Sequence, residues 1–74
     1  MRRRQPGETL IELHQDVSRL MALANPTVEL SARDSIATDY FIEALNDVDL
    51  ELKVRERVPT TLDDALRIAL QMET

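Results

Sequence analysis

Apolar residues recur along this chain at steps of three and four, and no stretch alternates with the two-residue period of a strand. Leu10, Leu13, Val17, Leu20, Met21 and Ala24 form one such stripe, which predicts a helix of about four turns. Thr9 followed by Glu12 is a capping box at its start: the hydroxyl serves the third amide and the carboxylate reaches back. Asn25-Pro26 closes it, because a residue before proline is pushed out of helical geometry. A short link follows, with Val28 and Leu30 expected to turn inward.

Ser31 with Asp34 reads as a second capping box. The helix behind it carries Thr38, Phe41, Ile42 and Leu45 on one face and Ile36 and Tyr40 on another. Asn46 with Asp49 is a third start signal, before a shorter helix with Leu50 and Val54 facing inward, Leu52 a further candidate, and Pro59 at its end. Thr61 with Asp64 opens a last helix bearing Leu62, Ala65, Leu66, Ile68, Ala69 and Leu70. Four starts, four stripes and short links predict an all-α, four-helix domain over residues 8–74, with residues 1–7 as a basic arm and turn. Its expected core is Leu10, Leu13, Val17, Leu20, Ala24, Phe41, Leu45, Leu50, Val54, Leu62, Leu66 and Leu70.

Length and composition narrow the function. Seventy-four residues make one small domain, for which self-association is a common stabilising route. With no cysteine, there are no disulfides, thiolate metal sites or cysteine nucleophiles, which fits an intracellular setting. No apolar run approaches a membrane span, and no apolar signal core follows Arg2, Arg3 and Arg4. The net charge of −5 makes the body a poor binder of nucleic acid, and no helix is strongly basic. The arginine run reads as a solvated tail or linker, with nucleic-acid contact as the other reading.

Candidate chemistry is sparse. His14 is the single histidine, with no triad and no ligand set beside it. Asp63-Asp64 and the other helix-opening carboxylates (Glu8, Glu12, Asp34, Asp49) fit capping and the helix dipole, and no EF-hand spacing is present. Arg55 and Arg57 suit the end of a helix, with a polyanion contact as the minority reading. No catalytic residue, metal or cofactor is expected.

Three stretches carry a family likeness. Gln5-Pro6-Gly7-Glu8-Thr9-Leu10, followed by Leu13, Val17 and Leu20, resembles the major homology region of retroviral and Gypsy-type capsid proteins. Phe41-Ile42-Glu43-Ala44-Leu45-Asn46-Asp47 is similar to that family's second helix and its exit. The run from Val54 to Leu66 is similar to the closing pattern of Gypsy-type Gag sequences. The resemblance spans about Gln5 to Glu73 and is to the C-terminal capsid domain of a retrotransposon Gag protein. It implies a non-catalytic module that homodimerises within a capsid lattice, in a Gag-like polyprotein or a domesticated descendant, cytoplasmic in that setting. A related possibility is the SCAN-type dimerisation domain of nuclear zinc-finger proteins. By the same resemblance the dimer contact falls on Ser35, Ile36, Asp39, Tyr40 and Glu43 of the second helix, and Gln5, Gly7, Glu8, Leu10 and Leu13 hold the homology-region positions. Retroviral versions place an arginine along the first helix where this chain has Asp16; Arg19 is the nearest.

A rival comes from Asp34-Ser35-Ile36, which resembles the phosphopantetheine site of acyl carrier proteins, with Ser35 as attachment point. Against it, the link before the motif is short, and Ser31-Ala32-Arg33 stands where carriers usually have a glycine. The expected partner is a second copy, with no small-molecule substrate and no membrane.

Overall fold

The computed structural model describes residues 2–24 and 30–73. Four helices follow in order: α1 (Leu10–Ala24), α2 (Leu30–Ala44), α3 (Val48–Glu56) and α4 (Leu62–Glu73). No strand occurs among the described residues, as the periodicity predicts. The expected stop at Asn25-Pro26 and the inward turn of Val28 lie outside the described residues, as do the side chains of Ala24, Leu30 and Ser31. α4 packs against all three other helices. The radius of gyration is 11.5 Å, close to the roughly 11 Å of a compact chain of this length.

The helix boundaries follow local chemistry, with two shifts from the sequence reading. α1 starts at the expected box: the Glu12 amide donates to Thr9 Oγ1 at 3.1 Å, and that hydroxyl donates to Glu12 Oε1. α2 begins at Leu30, earlier than the expected start at Ser31, and the Ser31 cap itself lies outside the described residues. The third start moves from Asn46 to Asp47, whose carboxylate accepts the Leu50 amide at 3.2 Å. Asn46 serves the preceding exit instead: its φ of 58° is left-handed, a conformation asparagine tolerates better than most residues. At α4 the Asp64 amide donates to Thr61 Oγ1 at 3.0 Å, and the Thr60 amide donates to Asp64 Oδ2 at 3.3 Å.

The core gathers one stripe from each helix: Leu10, Leu13, Val17 and Met21; Ala37, Phe41, Ile42 and Ala44, with Leu45 just beyond the end of α2; Leu50 and Val54; Leu62, Ala65, Ile68 and Ala69. Buried Thr38 stays satisfied by donating to the Asp34 carbonyl one turn back, at 2.7 Å. Several expected core positions are corrected. Leu20 is only half-buried, because Met21 takes the inner position at that turn. In α4 the fully buried Ala65 and Ala69 bring the backbone close to its neighbours, and this turns Leu66 to the flank and leaves Leu70 42% exposed. Leu52 also points outward, on the side of α3 opposite Leu50 and Val54.

Candidate self-association face and the docked arm

Pro6-Gly7 makes a tight turn between the arm and α1. The Glu8 amide donates to the Gln5 carbonyl at 3.0 Å, with proline first and a glycine of φ 84° second in the turn. That arrangement suits a type II turn, which needs a positive φ at its second central residue. The Gln5 amide donates back to Glu8 Oε1 at 3.0 Å, so backbone and side chain close the turn from both sides. Gln5, Gly7 and Glu8 are thus drawn together, while Leu10 and Leu13, further along, are buried.

The arm is not a solvated tail, which corrects the reading of the arginine run. The Arg4 amide donates to the Ala44 carbonyl at 2.7 Å, and the Arg2 amide donates to Tyr40 Oη at 3.2 Å. The Arg2 guanidinium bonds Glu8 and lies 2.5 Å from Asp16 Oδ2. Arg3 donates to Asn46 Oδ1 at 2.8 Å, and Arg4 pairs with Glu73 at 2.5 Å while its Nε donates to the Glu8 carbonyl at 2.9 Å. The arm therefore ties α1, α2 and α4 together, and each arginine is engaged within the chain. Asp16 sits where the resemblance would place an arginine; the cation bonded to Glu8 comes from Arg2, six residues upstream.

These contacts set the carboxyl groups. The Gln5 amide and then Arg2 hold Glu8 below the usual carboxylate range. Asp16 is lowered first by its bond to Arg19, at 2.7 Å, with Arg2 adding to it. The Arg2 guanidinium is shifted further up by its bond to Glu8.

The outward side of α2 is open. Ser35, Asp39 and Glu43 are exposed, and Ile36 is 46% exposed among them. Tyr40 differs from the rest of this set: it is half-buried, packs against the core, and gives its hydroxyl oxygen to the arm. It marks the border between the open face and the arm. On the other border stands Arg55 of α3, with Nη1 3.7 Å from Asp39 Oδ1 and Nη2 3.9 Å from Glu43 Oε1. Neither the arm contact nor Arg55 could be read from the chain, because both join residues far apart in sequence.

Other candidate groups are placed structurally. His14 Nε2 meets Asp63 Oδ1 at 2.7 Å, linking α1 to the first turn of α4, and its ring packs edge-on against Phe41. Asp64 is bonded to Arg67 as well as to the Thr60 amide. Among the described residues no cluster of three or more metal-ligating side chains occurs, and no helix is long and apolar enough to cross a membrane. Comparison of the chain with protein families, with curated proteins and with solved structures returns no match.

Proposed function

We propose that this chain is a non-catalytic self-association module of the capsid C-terminal type, the role its sequence resemblance implies. The observation that carries the reading is Ile36. α2 has its inner face in Ala37, Thr38, Phe41, Ile42 and Ala44, and Ile36 lies off that face, 46% exposed, on the side of the helix that carries exposed Ser35, Asp39 and Glu43. An exposed apolar side chain flanked by polar ones is what a small interface offers. A face on one helix also suits a two-fold contact, in which the same patch meets its own copy. The Gln5–Glu8 turn supports the same reading, since it brings three homology-region positions into one hydrogen-bonded unit. A patch of this size gives a weak dimer, of the kind that gains strength when many copies are joined in a lattice.

Sedimentation equilibrium over a wide concentration range tests the proposal. The wild-type chain is expected to move toward a dimer mass, and Ile36→Asp to remain monomeric with unchanged helicity. Tyr40 is unsuitable for this purpose because it also holds the arm and the core. Unchanged association of Ile36→Asp overturns the assignment of this face.

A further inference from the structure

The open face of α2 has an electrostatic difficulty as a self-contact. Asp39 and Glu43 lie on it with side chains 68% and 51% exposed. A two-fold contact over this face, with the helices crossing near Asp39 and Glu43, brings the carboxylates of one copy toward those of the other. Like charges across an interface disfavour the complex and usually direct a surface toward a different partner. The face therefore needs a cation of its own if it is to accept a second copy.

Arg55 is in position to supply it. One guanidinium stands 3.7 Å from Asp39, 3.9 Å from Glu43 and 3.5 Å from Glu51. These separations exceed the roughly 2.7–2.9 Å of a charge-assisted hydrogen bond. Arg55 is thus shared among three carboxylates at salt-bridge distance, and its side chain is 39% exposed. A guanidinium carries five N–H donors in a planar fork suited to carboxylates.

We propose that Arg55 makes the α2 face self-complementary: it offsets Asp39 and Glu43 within its own chain and donates to the same acidic pair of a second copy. Two-fold symmetry doubles the contact, since each copy's Arg55 faces the other's carboxylates. The inference rests on the self-association reading above and names the residue that lowers the repulsion between two acidic copies of this face. Without Arg55 the same face is an apolar spot ringed by carboxylates, the complement of a cationic surface.

The test is sedimentation equilibrium of the full chain at low and high salt, with melting followed by circular dichroism to show that each variant is folded. Arg55→Gln is expected to weaken dimerisation by about tenfold or more at low salt, the scale of one interfacial charge pair. The deficit should shrink in high salt, where exposed charges are screened. Adding Asp39→Asn and Glu43→Gln to Arg55→Gln removes the repulsion and should restore most of the lost affinity; Arg55→Lys should fall between Arg55→Gln and the wild type. If Arg55→Gln dimerises like the wild type while Ile36→Asp stays monomeric, the role of Arg55 is wrong and the α2 face stands. If Ile36→Asp also dimerises unchanged, or the wild type stays monomeric at every concentration, the face itself is wrong and the role of Arg55 falls with it.

Discussion

Asp34, in the second helix, caps the fourth: its Oδ1 accepts the backbone N–H of Leu62 at 2.9 Å. The first four amides of a helix have no partner within it, and this bond is partly shielded from water, so an acceptor from a neighbouring element is worth more than solvent. Thr61 supplies the second cap from within α4's own entry, accepting from the Asp64 amide. The start of α4 is thus held by one local residue and one residue 28 positions away. Asp34→Ala should destabilise the domain by about 1 kcal/mol, the usual cost of a lost N-cap, and Asp34→Asn, which keeps an acceptor, by less. Urea denaturation measures both. Equal stability of Asp34→Ala and the wild type would show that the Leu62 amide does not depend on this carboxylate.

Phe41 is the chain's one phenylalanine and is fully buried, in edge contact with the His14 ring at 6.3 Å between centroids. Phe41→Ala is expected to cost about 3–5 kcal/mol. That is most of the stability of a small domain, so the variant should be largely unfolded at room temperature by circular dichroism. A cooperative melt within a few degrees of the wild type contradicts the packing described.

Acid should unfold the domain through its paired carboxyls. Glu8, Asp16 and Asp64 all titrate below their ordinary values, held respectively by the Gln5 amide, Arg19 and Arg67 as the leading partners. A carboxyl lowered in the folded state adds stability above its unfolded pKa of about 4 and loses it as pH falls through the folded value. The melting temperature should therefore be nearly level from neutral pH to about 5 and fall steadily below about 4. Glu8→Gln with Asp16→Asn should flatten the acid limb. An acid limb as steep as that of the wild type would show that these two groups do not carry it.

Tyr40 reports on the arm. It is the only tyrosine, the chain has no tryptophan, and its hydroxyl accepts the Arg2 amide. Deleting residues 1–4 should change the near-ultraviolet signal of Tyr40 and lower the melting temperature, because the Arg2–Glu8, Arg2–Asp16 and Arg4–Glu73 pairs go with the arm. High salt should mimic part of the loss in the wild type by screening those pairs. A solvated tail would leave both readouts unmoved.

Val58 holds a left-handed backbone at the exit of α3, with φ of 51°, and its side chain is 73% exposed. A β-branched residue is strained there by about 1–2 kcal/mol. Val58→Gly relieves that strain at the expense of a more flexible unfolded chain, so a net gain of about 0.5–1 kcal/mol is expected by urea denaturation. A loss of stability instead would show that the Val58 side chain makes a contact worth more than the strain.

Helix number, order and most of the inner stripes were legible in the chain, because step-three and step-four spacing, capping boxes and prolines act within a few residues of where they stand. Leu10, Leu13, Val17, Phe41, Leu45, Leu50, Val54 and Leu62 are buried positions that such spacing marks. Leu70 and Leu20 follow the same spacing and yet lie exposed or half-buried, because other residues of their own helices, the small Ala65 and Ala69 in α4 and Met21 in α1, take the inner positions against the packed neighbours. The face of α2 was visible only as apolar residues off the main stripe; that Tyr40 belongs to the arm and that Arg55 stands over Asp39 and Glu43 was decided by tertiary structure alone. The same holds for Asp34, which the local pattern assigns to its own helix and the fold assigns to α4. Periodicity determines which side of a helix is apolar; which distant polar groups come within hydrogen-bonding distance is set by the relative placement of whole helices, and one-dimensional spacing does not encode that placement.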